Sequence, residues 1–415
     1  MNIYFSGLGG VGIGPLVEIA KDAGHVIMGS DITESLVTNQ LRKQGVIVNI
    51  GQDGSFLREN HAATPIDWFV YTSALPDDHA ELLLAQELGI RSSKRGEFLA
   101  YILQEKNLKL IAIAGTHGKT TTTGMMVWLM QKFGIAQSYS VGTTLAFGPS
   151  GKFDPKSEYF IYECDEYDRN FLNFKPYLSL ITSIDYDHPD TFPTKTDYTD
   201  AFRQFIDQST HTIMWKEDAE YVKANENDIW ILENALRLPI AGEYNRRNAT
   251  LVTKAAEYLG LARVEEVTIA LGEFPGTDRR FEKIGDNLYS DYGHHPKEIA
   301  ATLQLARELS DHVVLVYQPH QNRRQTRLQK DYLDQFELAE ETYWLPTYLS
   351  REDPEEPILT PAELIATLTN KETIHIAELD DSLWYTIQKS RHQGKLVLCM
   401  GAGTIDSWVR ERNAQ

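Results

Sequence analysis

Lys119 and Thr120 follow Gly115-Thr116-His117-Gly118 and precede three more threonines, and no other residues in this sequence are better suited to handling a phosphate. Glycines at 115 and 118 can take backbone angles that other residues avoid, and they let N–H groups approach an anion. From such a loop a lysine reaches β- and γ-phosphates, and a threonine hydroxyl binds Mg²⁺. Gly115, Thr116, His117, Gly118, Lys119, Thr120 and Thr121 are therefore the expected contacts of a nucleoside triphosphate. The spacing departs from GxxxxGK[ST], because Ile113 stands where the first glycine should be. An ordinary tight turn is the competing reading.

Two acidic clusters could complete such a site. Glu163-Cys164-Asp165-Glu166-Tyr167-Asp168 and Asp185-Tyr186-Asp187-His188-Pro189-Asp190 each follow an apolar run. Mg²⁺ prefers oxygen ligands and keeps several waters, so only one or two side chains need reach it. Solvated loops would carry the same acids. A second glycine motif, Gly7-Leu8-Gly9-Gly10-Val11-Gly12, satisfies G-x-G-x-x-G, with Asp31 at the distance expected of a dinucleotide fold. It predicts a nucleotide or nucleotide-sugar site, with Gly7, Gly9, Gly10, Gly12 and Asp31 as candidate contacts; Ser73 is a further candidate contact of such a nucleotide substrate. A glycine turn needed only for helix–sheet packing is the alternative. Asn245 and Asn248 share a helix face and suit either an adenine edge or helix capping. Arg279 and Arg280 offer donor forks for phosphate, or form a solvated pair.

Alternating strands and helices must position these residues. Strands are expected at Asn2 to Phe5, Val26 to Met28, Val46 to Ile50 and Trp68 to Thr72, with helices at Pro15 to Ala23, Ser35 to Gln44, Asp78 to Leu88 and Phe98 to Glu105. The run Leu110 to Ala114 enters the phosphate loop, and a helix runs on to about Phe133. Strands are expected at Tyr139 to Thr143, Tyr159 to Glu163, Tyr177 to Thr182, Thr210 to Trp215 and Ile229 to Leu232, with 147–156 a surface loop. Helices are expected at Asp200 to Gln208 and from Gly242 to Leu259. In the last third, strands are expected at Leu288 to Tyr292, from His312 to Tyr317, at Ile374 to Ala377 and at Lys395 to Met400. Helices are expected at Lys297 to Leu309, Leu328 to Phe336, Pro361 to Leu368 and Asp381 to Lys389. The pattern is α/β throughout.

With 415 residues, 42% of them apolar, the chain should form two or three domains with real cores. The formal net charge of −19 argues against a nucleic-acid surface, while leaving room for a local basic pocket. No apolar run approaches the length of a membrane span, and the N-terminus has no basic leader, so a cytoplasmic enzyme is expected. Cys164 and Cys399 are the only cysteines, which fits a reducing compartment.

Taken in order, GLGGVGIG, AGTHGKTTT, ECDEYDRNF, SIDYDHPD, N-x-x-N, DRRFE, SDYGHHPKEIAATL and the final GAGTI resemble the Mur ligases of peptidoglycan precursor synthesis over essentially the whole chain. The resemblance implies a three-domain α/β architecture. A Rossmann-like domain for the UDP part of the substrate would span 1–105, a central P-loop ATPase domain 106–277, and a Rossmann-like amino-acid domain 278–415. It implies ATP and Mg²⁺ as cofactors, Lys119 on phosphate, and Thr120, Glu163 and His188 on the metal. It also implies Asn245 and Asn248 beside adenine, Arg280 near the phosphates, and Asp291, His295 and Arg324 as C-terminal catalytic residues. The implied reaction joins L-alanine to the carboxylate of UDP-N-acetylmuramate through an acyl phosphate. Tyr167 is reminiscent of the related ligase that attaches a recycled tripeptide, which is the alternative. Tyr244, the run Asn322-Arg323-Arg324-Gln325 and LPTYLSREDP depart from the usual family form.

Overall fold

A computed structural model describes residues 1–415 apart from Val11, Ser73, Pro189, Asp190, 225–227, Arg351, 353–356 and Gln415, together with the Leu36 side chain. The expected substrate contact at Ser73 therefore lies outside the described residues, as does part of each of the GLGGVGIG, SIDYDHPD and LPTYLSREDP motifs.

The chain builds three sheets. The first contains β1 (Asn2–Ser6), β2 (Val26–Asp31), β3 (Ile47–Ile50), β4 (Trp68–Tyr71) and β5 (Arg91–Lys94), in the order β3-β2-β1-β4-β5. All of its pairings are parallel. The order reverses at β1, beside which open α/β sheets place their ligands. The glycine motif leaves the chain at that point.

The second sheet contains β6 (Lys109–Ala114), β7 (Gln137–Ser140), β8 (Gly151–Lys152), β9 (Tyr159–Glu163), β10 (Leu178–Ile181), β11 (Thr212–Trp215) and β12 (Ile229–Leu232). Its order is β12-β11-β10-β6-β9-β7-β8, with β6 flanked by β9 and β10. Those three strands run parallel, with Ile113 opposite Glu163 and Ala114 opposite Ile181. Their C-terminal ends therefore open at one edge, carrying the phosphate loop and both acidic clusters there. The strand β8 falls inside the segment expected to be only a surface loop. It pairs antiparallel with β7, and Gly151 packs against the Pro15 backbone so closely that a Cβ would overlap it.

The third sheet contains β13 (Glu282–Gly285), β14 (Leu288–Asp291), β15 (Val313–Tyr317), β16 (Glu341–Trp344), β17 (Ile374–Ile376) and β18 (Leu396–Met400), in the order β13-β14-β18-β15-β16-β17. Only the β13 pairing is antiparallel. Every residue of β15 and β18 is buried, which is why both read as unbroken apolar runs. One apolar cluster covers one face of this sheet and a second covers the other.

The chain divides into two compact units, Met1–Leu236 with Asn248–Phe274, and Arg237–Arg247 with Pro275–Gln415. The first unit holds two sheets because they share a core. A single cluster runs from Ile3 and Phe5 through Phe98 and Ile102 to Phe171 and Phe202. The helix expected over Leu328 to Phe336 is corrected. The α-helix is Asn322–Leu328, followed by a 3-10 turn at Gln329–Tyr332 and then plain turns. Leu328, Tyr332 and Phe336 have helical spacing, but the tighter turn instead places the Tyr332 hydroxyl 3.1 Å from the His294 carbonyl, to which it donates.

Candidate active site

The phosphate loop is shaped by its neighbours in the second sheet. Thr116 N–H donates to Ser183 O at 2.8 Å, and His117 N–H to Ser183 Oγ at 3.0 Å. The Thr116 hydroxyl donates to Asp185 O at 2.8 Å, and Thr182 Oγ1 to His117 O at 2.5 Å. Gly115 has φ +137° and lies so close to Ser183 that a Cβ would stand 2.7 Å from its carbonyl oxygen. Gly118, at φ +86°, caps the helix Lys119–Lys132. The first-turn N–H groups of Lys119, Thr120 and Thr121 have no carbonyl one turn back, so they and the helix dipole favour an anion. Asn248 is buried directly against this turn, since a Cβ on Gly118 would lie 2.7 Å from its Oδ1.

Lys119 folds back onto its own loop. Its Nζ donates to Gly115 O at 2.5 Å, Thr116 O at 3.3 Å and Glu166 Oε2 at 2.8 Å. Burial works against its charge but is outweighed by Glu166, Asp165 and Glu163, and the ammonium is pushed up to about 12. Burial in turn pushes the Glu166 carboxyl above the usual carboxylate range, with Lys119 opposing. Glu166 is fully buried. Its Oε1 accepts no hydrogen bond among the described residues and lies 3.8 Å from His188 Nε2.

The expected metal residues sort into two groups. The Thr120 hydroxyl donates to Glu163 Oε1 at 2.6 Å, and Gly142 N–H donates to Glu163 Oε2 at 2.6 Å. His188, held at φ +55°, faces Glu166 and packs its ring 5.2 Å from Tyr167. The first group offers a hydroxyl and a carboxylate and the second an orphaned buried carboxylate oxygen, donor types that suit a divalent cation of the Mg²⁺ type. Glu166 was not singled out from sequence. Nothing in ECDEYD distinguishes it from the acids around it until the turn after β9 directs it at Lys119.

At the first glycine motif, Gly7 has φ +80° and donates its N–H to Ser30 O at 2.9 Å. Asp31 Oδ2 accepts the Gly9 N–H at 2.8 Å, and Gly10 N–H donates to Gly7 O at 3.1 Å. Gly12 stands under the guanidinium of Arg95, a residue with no motif to mark it.

In the second unit, Asp291 ends β14 and holds the chain after the DRR segment. Its Oδ2 accepts the Phe281 N–H and its Oδ1 the Gly293 N–H, both at 2.7 Å. Burial, opposed by Arg280, pushes its carboxyl up to about 6. Arg279 and Arg280 lie over the Tyr292 ring, 4.6 and 5.2 Å from its centroid. His295 caps the helix Pro296–Leu309, its Nδ1 accepting from Lys297 N–H at 3.4 Å. Burial drives the neighbouring His294 down to about 3, with Glu298 opposing, and the charge of Arg324 also acts on it. Asn245 donates from Nδ2 to Ala241 O at 3.1 Å, a contact at the start of its own helix.

Comparison with known proteins finds three matching family models. The Mur ligase family catalytic-domain model matches 2–107, the Mur ligase middle-domain model 113–232, and the Mur ligase glutamate-ligase-domain model 279–403. The chain is 31% identical to UDP-N-acetylmuramate--L-alanine ligase of Carboxydothermus hydrogenoformans, with 98% of this chain and 95% of that one covered. It is 30% identical to the enzyme of the same name from Caldicellulosiruptor saccharolyticus, with coverage of 99% and 98%. Among solved structures, UDP-N-acetylmuramate-alanine ligase of Thermotoga maritima superposes with a TM-score of 0.77 at 22% identity over all of both chains. A murein peptide ligase of Psychrobacter arcticus superposes with a TM-score of 0.65 at 22% identity, over 100% of this chain and 98% of that one. With relatives at this identity spanning nearly its whole length, the chain belongs to the Mur ligase family.

Proposed function

We propose that this chain joins L-alanine to the carboxylate of UDP-N-acetylmuramate with hydrolysis of ATP, in the synthesis of peptidoglycan precursors. The observation that carries the reading is identity of 30–31% to enzymes of that name over nearly the whole chain. The geometry supports it. A free carboxylate is a poor acyl donor, so one of its oxygens first attacks the γ-phosphorus of ATP, and ADP leaves. The amine of L-alanine then attacks the acyl phosphate carbon, and inorganic phosphate leaves with that carboxylate oxygen.

Lys119 and the first-turn N–H groups bind and orient the triphosphate. A bound Mg²⁺ supplies charge neutralisation on the phosphates, and Thr120, Glu163 and His188 are the residues proposed to hold it. Asn248, packed against Gly118, is proposed on the nucleotide side. Gly7, Gly9, Gly10, Gly12 and Asp31 are proposed for the UDP moiety. Arg280 is proposed near the phosphates, and Asp291, His295 and Arg324 on the amino-acid side, within domains bounded near 105 and 277. Among the described residues no helix is long and apolar enough to cross a membrane, and a cytoplasmic location is proposed.

The test is phosphate release from ATP and Mg²⁺ with UDP-N-acetylmuramate and a panel of amines. L-alanine should support release, whereas glycine, L-serine and L-alanyl-γ-D-glutamyl-diaminopimelate should support far less. Release with the tripeptide alone would move the chain to the second reading, a tripeptide-adding ligase. Tyr167, packed against His188, is the observation that favours that alternative.

A further inference from the structure

The start of the helix Arg95–Glu105 touches both nucleotide-handling regions of the first unit. On one side, a Cβ on Gly12 would overlap Arg95 Nη1 and lie 3.0 Å from its Cζ, so the guanidinium lies on the glycine turn. On the other, Arg95 Nη2 is 3.4 Å from Asp165 Oδ2, with the two side chains only 22% and 34% exposed. Asp165 directly precedes Glu166, the buried partner of Lys119. The contact is tight along its length. A Cβ on Gly96 would overlap Asn170 Oδ1 and lie 2.7 Å from Asn173 Nδ2, so the helix start presses on the 3-10 turn Tyr167–Asn173. Within that turn Asp168 and Arg169 hold φ of 54° and 53°, backbone states that persist only where neighbours enforce them.

We propose that Arg95 is a positioning residue that couples occupancy of an anion site at Gly7, Gly9, Gly10 and Gly12 to the acidic turn beside Lys119. The inference rests on the functional reading above, in which a nucleoside-diphosphate sugar occupies the glycine turn. A guanidinium presents five donors in a rigid fork, so Arg95 can serve the carboxylate of Asp165 and an arriving pyrophosphate from one place. As donors turn to the pyrophosphate, Asp165 loses its counter-charge next to the residues proposed to hold a divalent cation. The negative potential rises at the residues proposed for the cation, and it favours the metal end of the Mg²⁺-nucleotide, whose phosphates stay on Lys119 and the first-turn N–H groups, so the complex is held more tightly through its metal. In the adjacent pair, Lys94 Nζ to Asp168 Oδ2 at 2.7 Å, the lysine is 43% exposed against 22% for Arg95. That pair has no part in the coupling.

Calorimetric titration tests this without turnover. UDP-N-acetylmuramate and Mg²⁺ with a β,γ-imido ATP analogue are each titrated in the absence and presence of the other. Linkage requires the two coupling factors to be equal. The full-length chain should show mutual tightening of about five-fold or more. Arg95→Ala and Asp165→Asn should reduce the factor below about two-fold while still binding the analogue alone, and Lys94→Ala should keep it. Asp165→Asn is isosteric, so it keeps the test decisive should Arg95→Ala fail to fold. Undiminished coupling in Asp165→Asn, or no coupling in the unmodified chain, overturns the proposal. Failure of the unmodified chain to bind UDP-N-acetylmuramate under any condition overturns the functional reading itself, and the proposal with it.

Discussion

Glu166 is the residue on which the phosphate side of the site depends. It is fully buried, paired with Lys119 at 2.8 Å, and among the described residues leaves one oxygen without a hydrogen bond. Removing one partner of a buried ion pair strands the other charge, typically at about 3–5 kcal/mol. Glu166→Gln should therefore lower the melting temperature by several degrees. Saturating Mg²⁺-nucleotide should restore more stability to the variant than it adds to the unmodified chain, because the phosphates give Lys119 a new counter-charge. Equal gains in thermal-shift measurements would refute this role.

Two buried groups of the second unit oppose each other in pH dependence. Asp291 keeps its proton up to about 6 in the folded chain, whereas an unfolded aspartate loses it near 4. Between those values the native state binds more protons, so this group makes stability fall as pH rises. His294 is held down to about 3, against roughly 6.5 when unfolded. Over the same window it binds fewer protons in the native state, so it makes stability rise with pH. The two slopes nearly cancel between about pH 4 and 6. Asp291→Asn leaves the histidine slope unopposed, and denaturant titrations should then show an added acid destabilisation of about 1.4 kcal/mol per pH unit across that window. Parallel profiles for the two proteins would count against it.

The phosphate loop works as an element because three parallel strands end together and two glycines let the chain turn between them. Gly118→Ala should be severe. It forces a side chain into a φ of +86° and sets its Cβ 2.7 Å from Asn248 Oδ1. A loss of about 1–3 kcal/mol in stability is expected, with a fall in nucleotide affinity measured by titration. This element was legible from sequence, because an apolar strand, glycines and a Lys-Thr pair leave few alternatives. Other elements were not. The edge strand β5, Arg-Ser-Ser-Lys, has no apolar residue to announce it, and the helix Asn322–Leu328 is polar almost throughout. The helices Ser55–Ala63 and Lys216–Val222 are short and bury few apolar side chains. The same limit applies within the site. Glu163 and His188 came forward through family likeness, while Glu166 and Arg95 depend on contacts between segments about fifty and eighty residues apart, which no local spacing encodes.

At the scale of the whole molecule, the two compact units divide the residues proposed for the chemistry. Met1–Leu236 with Asn248–Phe274 carries both glycine loops and the acidic clusters, and the other unit carries Arg280, Asp291, His295 and Arg324. A ligand present at about one hundred times its Kd stabilises what it binds by about 2.7 kcal/mol. Differential scanning calorimetry should accordingly resolve two transitions, and Mg²⁺ with an ATP analogue should raise the one belonging to the first unit. A uniform shift of a single transition would contradict that division. The central claim is that the muramate carboxylate is activated by phosphoryl transfer and captured by L-alanine. Its most direct test is a turnover with UDP-N-acetylmuramate labelled with ¹⁸O in the carboxylate, with mass spectrometry of both products. The account predicts the L-alanyl amide together with inorganic phosphate carrying one ¹⁸O atom. Amide formed with unlabelled phosphate, or labelled substrate recovered intact while ATP is hydrolysed, would contradict it.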